Sequence, residues 1–394
     1  MTAPEKRKVT SAFRAPGADD WRELVAENAN DKEHEKALKA KDELKNMLLA
    51  SLQMQHLVVL AGSGCSLSAG GPSMQDLWNG AVGGEPTVDA IATARKVNHD
   101  LKDRNVEAFL SRVEAFLQVG SDKTVSKFLN SSKRVILDKC TTFLDPGNLG
   151  DHKTFLHRLS RRRVRDQRLQ VFTTNYDLCF ERAAADLGGV ALEGFSFTAP
   201  RRYDPRFFGY DIIRRPRSGD DLGHYLEGVF LLYKLHGSVN WARGEEGTIY
   251  ENDEPTPADA CLIYPARGKY QQSFVQPHLE SMAQYLAAVR EPNTCLLVVG
   301  FGFNDDHLAE PLLAAVKSNP HLRLIIVDPG ADEKVIDANG NRFWKQFFEL
   351  GGRGEDVWFI KASFGDFAQM VPDLKSLTPA DSLMQAIKGV TREP

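Results

Sequence analysis

Two apolar runs in this chain end on polar residues, and that limits the folds open to it. Leu169-Gln-Val-Phe172 leads into Thr173-Thr174-Asn175-Tyr176-Asp177, and Val229-Phe-Leu-Leu-Tyr-Lys-Leu235 leads into His236-Gly237-Ser238. Short apolar runs bounded by turn residues suit strands buried on both faces, as in a parallel sheet covered by helices. Open sheets of that kind bind ligands in a crevice outside the carboxyl ends of their strands. Asn175, Asp177 and His236 all stand at such an end. Each also has a plainer reading. Asn175 and Asp177 suit the cap of the helix-like run Leu178–Ala185, and His236 suits a core histidine satisfied by a backbone carbonyl.

The rest of the sequence repeats the strand–helix alternation. His56-Leu-Val-Val-Leu60, Thr294–Val299, Leu322–Val327 and Asp356–Lys361 read as strands, while Pro277–Arg290 and His307–Lys317 read as helices. Such alternation implies a parallel α/β sheet with helices on both faces. Residues 1 to about 20 are polar and are expected to lack structure. From Asp31 to Gln53, Leu38, Leu44, Leu48 and Leu52 recur at helical spacing among charged residues. The expected division is an N-terminal segment with a helical arm (1–54), one α/β domain (55–372) and a tail (373–394). Within the domain a helical insertion is expected at about 76–165 and a loop-rich one at about 190–275.

Composition narrows the function. At 394 residues, 42% hydrophobic and 26% charged, the chain is an ordinary globular one. A net charge of −4 argues against direct nucleic-acid binding, despite an arginine run at 158, 161, 162, 163, 165 and 168 and a second at 201, 202, 206, 214, 215 and 217. No long apolar stretch suggests a membrane span or signal peptide. Cys65, Cys140, Cys179, Cys261 and Cys295 are scattered without a Cys-x-x-Cys pair, which reads as reduced thiols in a cytoplasmic protein.

Two glycine-rich turns follow strands: Ala61-Gly-Ser-Gly-Cys-Ser66 and Gly300-Phe-Gly-Phe-Asn304. In a strand–turn–helix unit, glycines let backbone approach phosphates and the helix N-terminus favours their charge. Gly62, Ser63, Gly64 and Ser66 suit that task, although the spacing is not G-x-G-x-x-G and a tight βα connection needs glycine too. Asp328, ending the strand before Pro329, suits a ribose hydroxyl or simply a turn. Asn304-Asp305-Asp306-His307 allows a metal reading but fits a helix N-cap better.

In this order, Ala-Gly-Ser-Gly-x-Ser, Thr-Thr-Asn-Tyr-Asp, Leu-His-Gly-Ser, Gly-Phe-Gly-Phe and Val-Asp-Pro resemble the sirtuin-like NAD-binding domain, in the branch found among bacterial antiphage defence proteins. The resemblance runs from about Leu57 to Phe367. It implies a Rossmann-like fold with Gly62, Ser63, Gly64 and Ser66 along the NAD phosphates. Asn175, Asp177 and Thr174 would lie near the nicotinamide ribose, and His236 would be the catalytic histidine. Gly300, Gly302 and Asp328 would border the adenosine half. Ser63 replaces the family's commoner alanine, and Met74 stands where this branch often has tryptophan over the nicotinamide pocket.

The resemblance further implies an NAD+ glycohydrolase, with NAD as substrate, acting as an antiphage effector by NAD depletion. The four-cysteine zinc ribbon of protein-deacylating sirtuins has only Cys261 in the corresponding region, so no zinc is expected. Such an effector needs a trigger; the implied arrangement is a homo-oligomer activated by a separate partner, best a HerA-type ring ATPase. A nucleotide sensor without turnover, or a zinc-independent deacylase, are the alternatives. The chemistry suits the residues. Cleaving the nicotinamide–ribose bond develops an oxocarbenium-like centre, as in glycoside cleavage. His236 is of the type that takes a proton near neutral pH.

Overall fold

The computed structural model describes residues 11–24, 31–163, 166–215, 224–264, 275–337 and 340–373. Arg165, Arg217 and residues 374–394 of the expected tail lie outside them. Strands β1 (Ala12–Arg14) and β2 (Arg22–Glu23) come first, then helix α1 (Asp31–Leu52) and β3 (His56–Ala61). Helices α2 (Met74–Ala81), α3 (Val88–Lys96), α4 (Val106–Val119), α5 (Lys123–Thr142) and α6 (Gly150–Leu159) separate β3 from β4 (Leu169–Thr173). After α7 (Cys179–Asp186) come β5 (Val190–Leu192), β6 (Ile213–Arg214), β7 (His224–Tyr225), β8 (Val229–Lys234), β9 (Gly237–Arg243), β10 (Ile249–Glu251) and β11 (Ala260–Leu262). The chain continues through α8 (His278–Ala288), β12 (Thr294–Val299), α9 (Asp306–Ser318), β13 (Leu322–Val327), α10 (Ala331–Ile336), α11 (Arg342–Gly352), β14 (Val357–Lys361) and α12 (Phe364–Met370).

The main sheet has the order β2-β1-β14-β13-β12-β3-β4-β8-β5 and is parallel from β14 to β5. Its strands are buried on both faces, which is why they read as unbroken apolar runs. Leu57, Val59 and Ala61 of β3 face a core closed by α1, α6, α7 and α12, whereas Val58 and Leu60 face one closed by α8, α9, α10 and α11. The arm α1 thus packs on its own domain through Leu44, Leu48 and Leu52. The fold is mixed α/β and Rossmann-like.

Register decides where the site lies. Ala61 pairs with Thr173 and with Val299, Thr173 with Lys234, and Val299 with Val327. Five strands therefore end level with one another, and the residues that follow them share one edge. From β3 the chain builds outward through β4 to β8, then returns to β12 on the other side and builds through β13 to β14. The crevice between β3 and β12 is thus the topological switch point, the preferred ligand position in such sheets.

Residues 11–20 depart from the sequence reading, while residues 1–10 lie outside the described residues. Instead of lacking structure, β1 pairs antiparallel with β14, Phe13↔Ile360, and β2 pairs with β1. Without them β14 would be an open edge, a liability that proteins cover. Phe13 is fully buried and its ring lies 6.2 Å from that of Trp358. The loop-rich region also holds more order than its composition suggests. Strands β10, β9 and β11 form a separate antiparallel sheet around Trp241, Phe195, Ile249 and Cys261. Helices α2–α5 pack against that sheet through Val239, Leu262 and Tyr264.

Candidate functional site

The level strand ends gather most of the site residues expected from sequence around one cleft of about 160 Å³. Its lining includes Ser63 and Ser66 after β3, Thr174, Asn175 and Asp177 after β4, His236 after β8, and Gly300 and Gly302 after β12. Asn175 and Asp177 are 8% exposed and His236 2%.

The loop after β4 is tied down at each residue. Thr173 Oγ1 donates to Ala61 O at 3.1 Å and accepts from Asn175 N at 3.1 Å. Asn175 Nδ2 donates to Gly62 O at 3.0 Å and to Ser66 Oγ at 2.9 Å. Ser66 Oγ in turn donates to Asp177 Oδ2 at 2.6 Å, and Asp177 Oδ1 accepts from Cys179 N at 3.0 Å. Asp177 therefore does serve the start of α7, as the plainer reading has it, while its other oxygen faces Ser66. The side-chain oxygen of Asn175 has no protein partner among the described residues.

His236 sits between β8 and β9 because Gly237 turns the chain there at φ +81°. A Cβ at Gly237 would lie 2.2 Å from Cys261 O, so β11 passes too close for any other residue. His236 O accepts from Ile263 N at 2.8 Å, which anchors the turn to the second sheet.

The first glycine turn differs from its expected role. No α-helix follows it directly; two single 3₁₀ turns, Ser63–Cys65 and Leu67–Ala69, precede α2. Its amides are already engaged: Gly62 N donates to Val299 O, Gly64 N to Gly300 O, Cys65 N to Gly62 O and Ser66 N to Ser63 O, all at 2.9–3.1 Å. The glycines serve close approach of chain to chain. A Cβ on Gly62 would lie 2.5 Å from Gly300 O, and one on Gly64 2.6 Å from Gly300 Cα. Gly62 and Gly64 thus interlock with Gly300 beneath the cleft, while Ser63 and Ser66 reach its wall. Asp328 stands at the same edge but outside the lining; it accepts from Gly330 N at 2.8 Å and pairs with Lys334.

Lys234 and Glu107 escape the sequence reading, and Asp305 and His307 enter it only as part of the tetrad read as a helix N-cap. Lys234, the last residue of β8, is fully buried; its Nζ donates to Asp177 O and lies 2.7 Å from Glu181 Oε1 and 3.4 Å from Tyr176 O. Its only sequence signal is a cation at the end of an apolar run. Glu107 from α4 and Asp305 before α9 join Asp177 on the cleft wall, so among the described residues the lining carries three carboxyl residues and neither Lys nor Arg. Met74, 45% exposed, and Leu77 border it from α2. His307 lies 3.3 Å, Nε2 to Nε2, from His236.

The arginine runs are mostly fastened to the protein itself. Arg158 donates to the carbonyls of Ala368, Gln369 and Val371; Arg162 to those of Leu52, Met54 and Gln55; Arg168 pairs with both oxygens of Asp211. Arg201 pairs with Glu251 and Arg206 with Asp204. No helix among the described residues is long and apolar enough to cross a membrane.

Sheet order and cleft define an open α/β protein with a ligand-type crevice at its switch point. The family model described as the SIR2-like domain matches residues 169–348, from β4 into α11. The turn at Gly62–Gly64 precedes the matched span. No curated protein matches the sequence. Among solved structures, a Sir2 homologue complexed with NAD aligns at TM-score 0.42 and 13% identity, covering 83% of this chain and 92% of its own. A mutant Sir2 homologue with 2'-O-acetyl ADP ribose aligns at 0.41 and 14%, covering 85% and 97%, and one with ADP ribose at 0.42 and 12%, covering 88% and 98%.

Proposed function

We propose that this chain is an NAD+ glycohydrolase that cleaves NAD to nicotinamide and ADP-ribose. The observation that carries the reading is that Asn175, Asp177 and His236 line one cleft at the switch point of a sheet matched in part by the SIR2-like family model. In the reaction the bond from ribose C1' to the pyridinium nitrogen breaks, and its electron pair goes to nicotinamide, which leaves neutral. Positive charge passes to the ribose ring. The carboxyl residues of the wall, Asp177 foremost, favour both the cationic pyridinium and the oxocarbenium-like centre. Water attacks C1' and its proton goes to His236. The unpartnered side-chain oxygen of Asn175 is placed to accept from that water or from a ribose hydroxyl. The pyrophosphate falls to the serine end, Ser63 and Ser66, since the described lining holds no Lys or Arg.

On the resemblance of its motifs, the chain acts as an antiphage effector by NAD depletion, as an oligomer switched on by a HerA-type ring ATPase. The test follows nicotinamide release by chromatography from purified protein and NAD, alone and with a HerA-type ring ATPase added. Release without any acyl peptide is expected. Asn175→Ala and His236→Ala should each lower the rate by about 10²- to 10⁴-fold with an unchanged circular dichroism spectrum. Release that persists in both variants, or depends on an acylated peptide, would overturn the reading.

A further inference from the structure

His307 is the second residue of the thirteen-residue helix α9 and is 5% exposed. Its ring meets that of His236 in a particular way. The Nε2 atoms are 3.3 Å apart, the ring centroids 5.4 Å, and the planes differ by 29°. Rings stacked face to face would have centroids hardly farther apart than their nearest atoms. Here the centroids are much farther apart than the nitrogens, so the rings meet end to end, with the nitrogen lone pair and N–H lying along the contact. Exactly this geometry admits one hydrogen between two Nε2 atoms: one ring donates and the other must accept.

A histidine in the first turn of a helix faces the positive end of the helix dipole, which disfavours its protonation; as a neutral ring it accepts at Nε2 when its own hydrogen lies on Nδ1. We propose that His307 is a positioning residue for His236, accepting from His236 Nε2–H and so holding His236 in one tautomer. This inference rests on the glycohydrolase reading for its kinetic consequence. When His236 takes the proton from water at its other nitrogen, it becomes a cation that still donates from Nε2. The bond to His307 then becomes charge-assisted and strengthens as the reaction proceeds. The proton from water stays on His236, and the hydrogen between the rings need not leave it. Among the described residues, Glu107, Asp177 and Asp305 share the cleft lining with His236, and Asp306 precedes His307 in the first turn of α9.

The test pairs His307→Leu, which removes the acceptor, with His307→Gln, whose amide oxygen restores one. Hydrogen bonds to a charged group are worth enough that kcat should fall about 10- to 100-fold in His307→Leu, with little change in KM for NAD. His307→Gln should recover most of the rate. In parallel, nitrogen NMR of histidine-labelled full-length protein without NAD should show His236 as the Nε2–H tautomer in wild type and His307→Gln, and as a mixture in His307→Leu. Equal losses in both variants, or no loss in His307→Leu, would overturn the proposal, as would an unchanged His236 tautomer. The NMR arm needs no turnover. A tautomer shift in a protein that never releases nicotinamide would therefore sink the glycohydrolase reading and leave the pairing standing.

Discussion

Replacing Lys234 by methionine tests the physical account of how the loop bearing Asn175 and Asp177 is held. The ammonium is fully buried at the end of β8, where it pairs with Glu181 and donates to Asp177 O. Nearby Glu193, 7% exposed, is pushed up to about 8, chiefly by burial and then by repulsion from Glu181, with Lys234 partly offsetting both. Glu193 is therefore mainly protonated at neutral pH, and Lys234 and Glu181 balance one another. Lys234→Met leaves the Glu181 carboxylate and the Asp177 carbonyl without their cation. Breaking one side of a buried pair costs about 3–5 kcal/mol. Glu181→Leu, which strands the buried ammonium, should cost a similar amount, lessened by the carbonyls that Lys234 keeps.

The double variant separates charge pairing from packing. With both charges gone, the remaining penalty is the loss of the hydrogen bonds to the loop carbonyls, about 1–3 kcal/mol. The double should thus be markedly more stable than the sum of the singles, with a coupling of at least about 2 kcal/mol. Urea denaturation at pH 7, followed by tryptophan fluorescence, measures all four corners of the cycle. Effects that add within about 0.5 kcal/mol, or a Lys234→Met cost below about 1 kcal/mol, would refute the pairing argument.

Two further perturbations probe the frame around the site. His152 on α6 is fully buried against the rings of Phe180 and Phe364, and burial lowers its pKa from 6.5 to about 4. The unfolded chain binds a proton below pH 6.5 that the folded chain refuses until about pH 4, so stability falls as pH drops through that window and is unaffected above it. At about 1.4 kcal/mol per pH unit the loss approaches 3 kcal/mol, and His152→Phe should flatten the urea-midpoint profile between pH 6.5 and 4; an unchanged profile would show that the ring is protonated in the fold. Gly300→Ala places a Cβ 2.6 Å from Cys65 N at φ +59°, combining strained backbone with overpacking for about 2–4 kcal/mol. Gly70→Ala, also at positive φ but with nothing within 4 Å, should lose only the backbone part in the same urea assay, and equal costs would dismiss the interlocked turns.

What the sequence discloses about this site follows from how a parallel sheet is built. A strand buried on both faces is a continuous apolar run, so its end is visible, and the type of residue that follows is visible too. Asn175, Asp177, His236 and the two glycine turns are legible for that reason. The pairing of Ala61 with Thr173 and Val299, and of Thr173 with Lys234, then makes the strand ends level and gathers these residues. The glycines are legible as a need for close approach, but not what approaches: the partner of Gly62 and Gly64 is Gly300, more than two hundred residues away. The short strand β1 is invisible because three residues carry no period, and it is fixed by what β14 lacks.

Residues that reach the cleft sideways obey no such rule. Glu107 and Met74 come from helices whose patterns report only their packing on one another and on the β9–β11 sheet, and His307, which touches His236 from outside the lining, reads as part of a helix start because it lies in the first turn of α9. Its second role arises only when α9 is laid beside the turn after β8, bringing Nε2 to within 3.3 Å of His236. Lys234 shows the same split from the other side. Its place at a strand end is readable, yet the loop carbonyls and Glu181 that hold its charge belong to β4's continuation and to α7. The chemistry that touches a ligand is thus written at the ends of strands, whereas the groups that orient it are supplied by neighbouring elements, and only the packed structure identifies them.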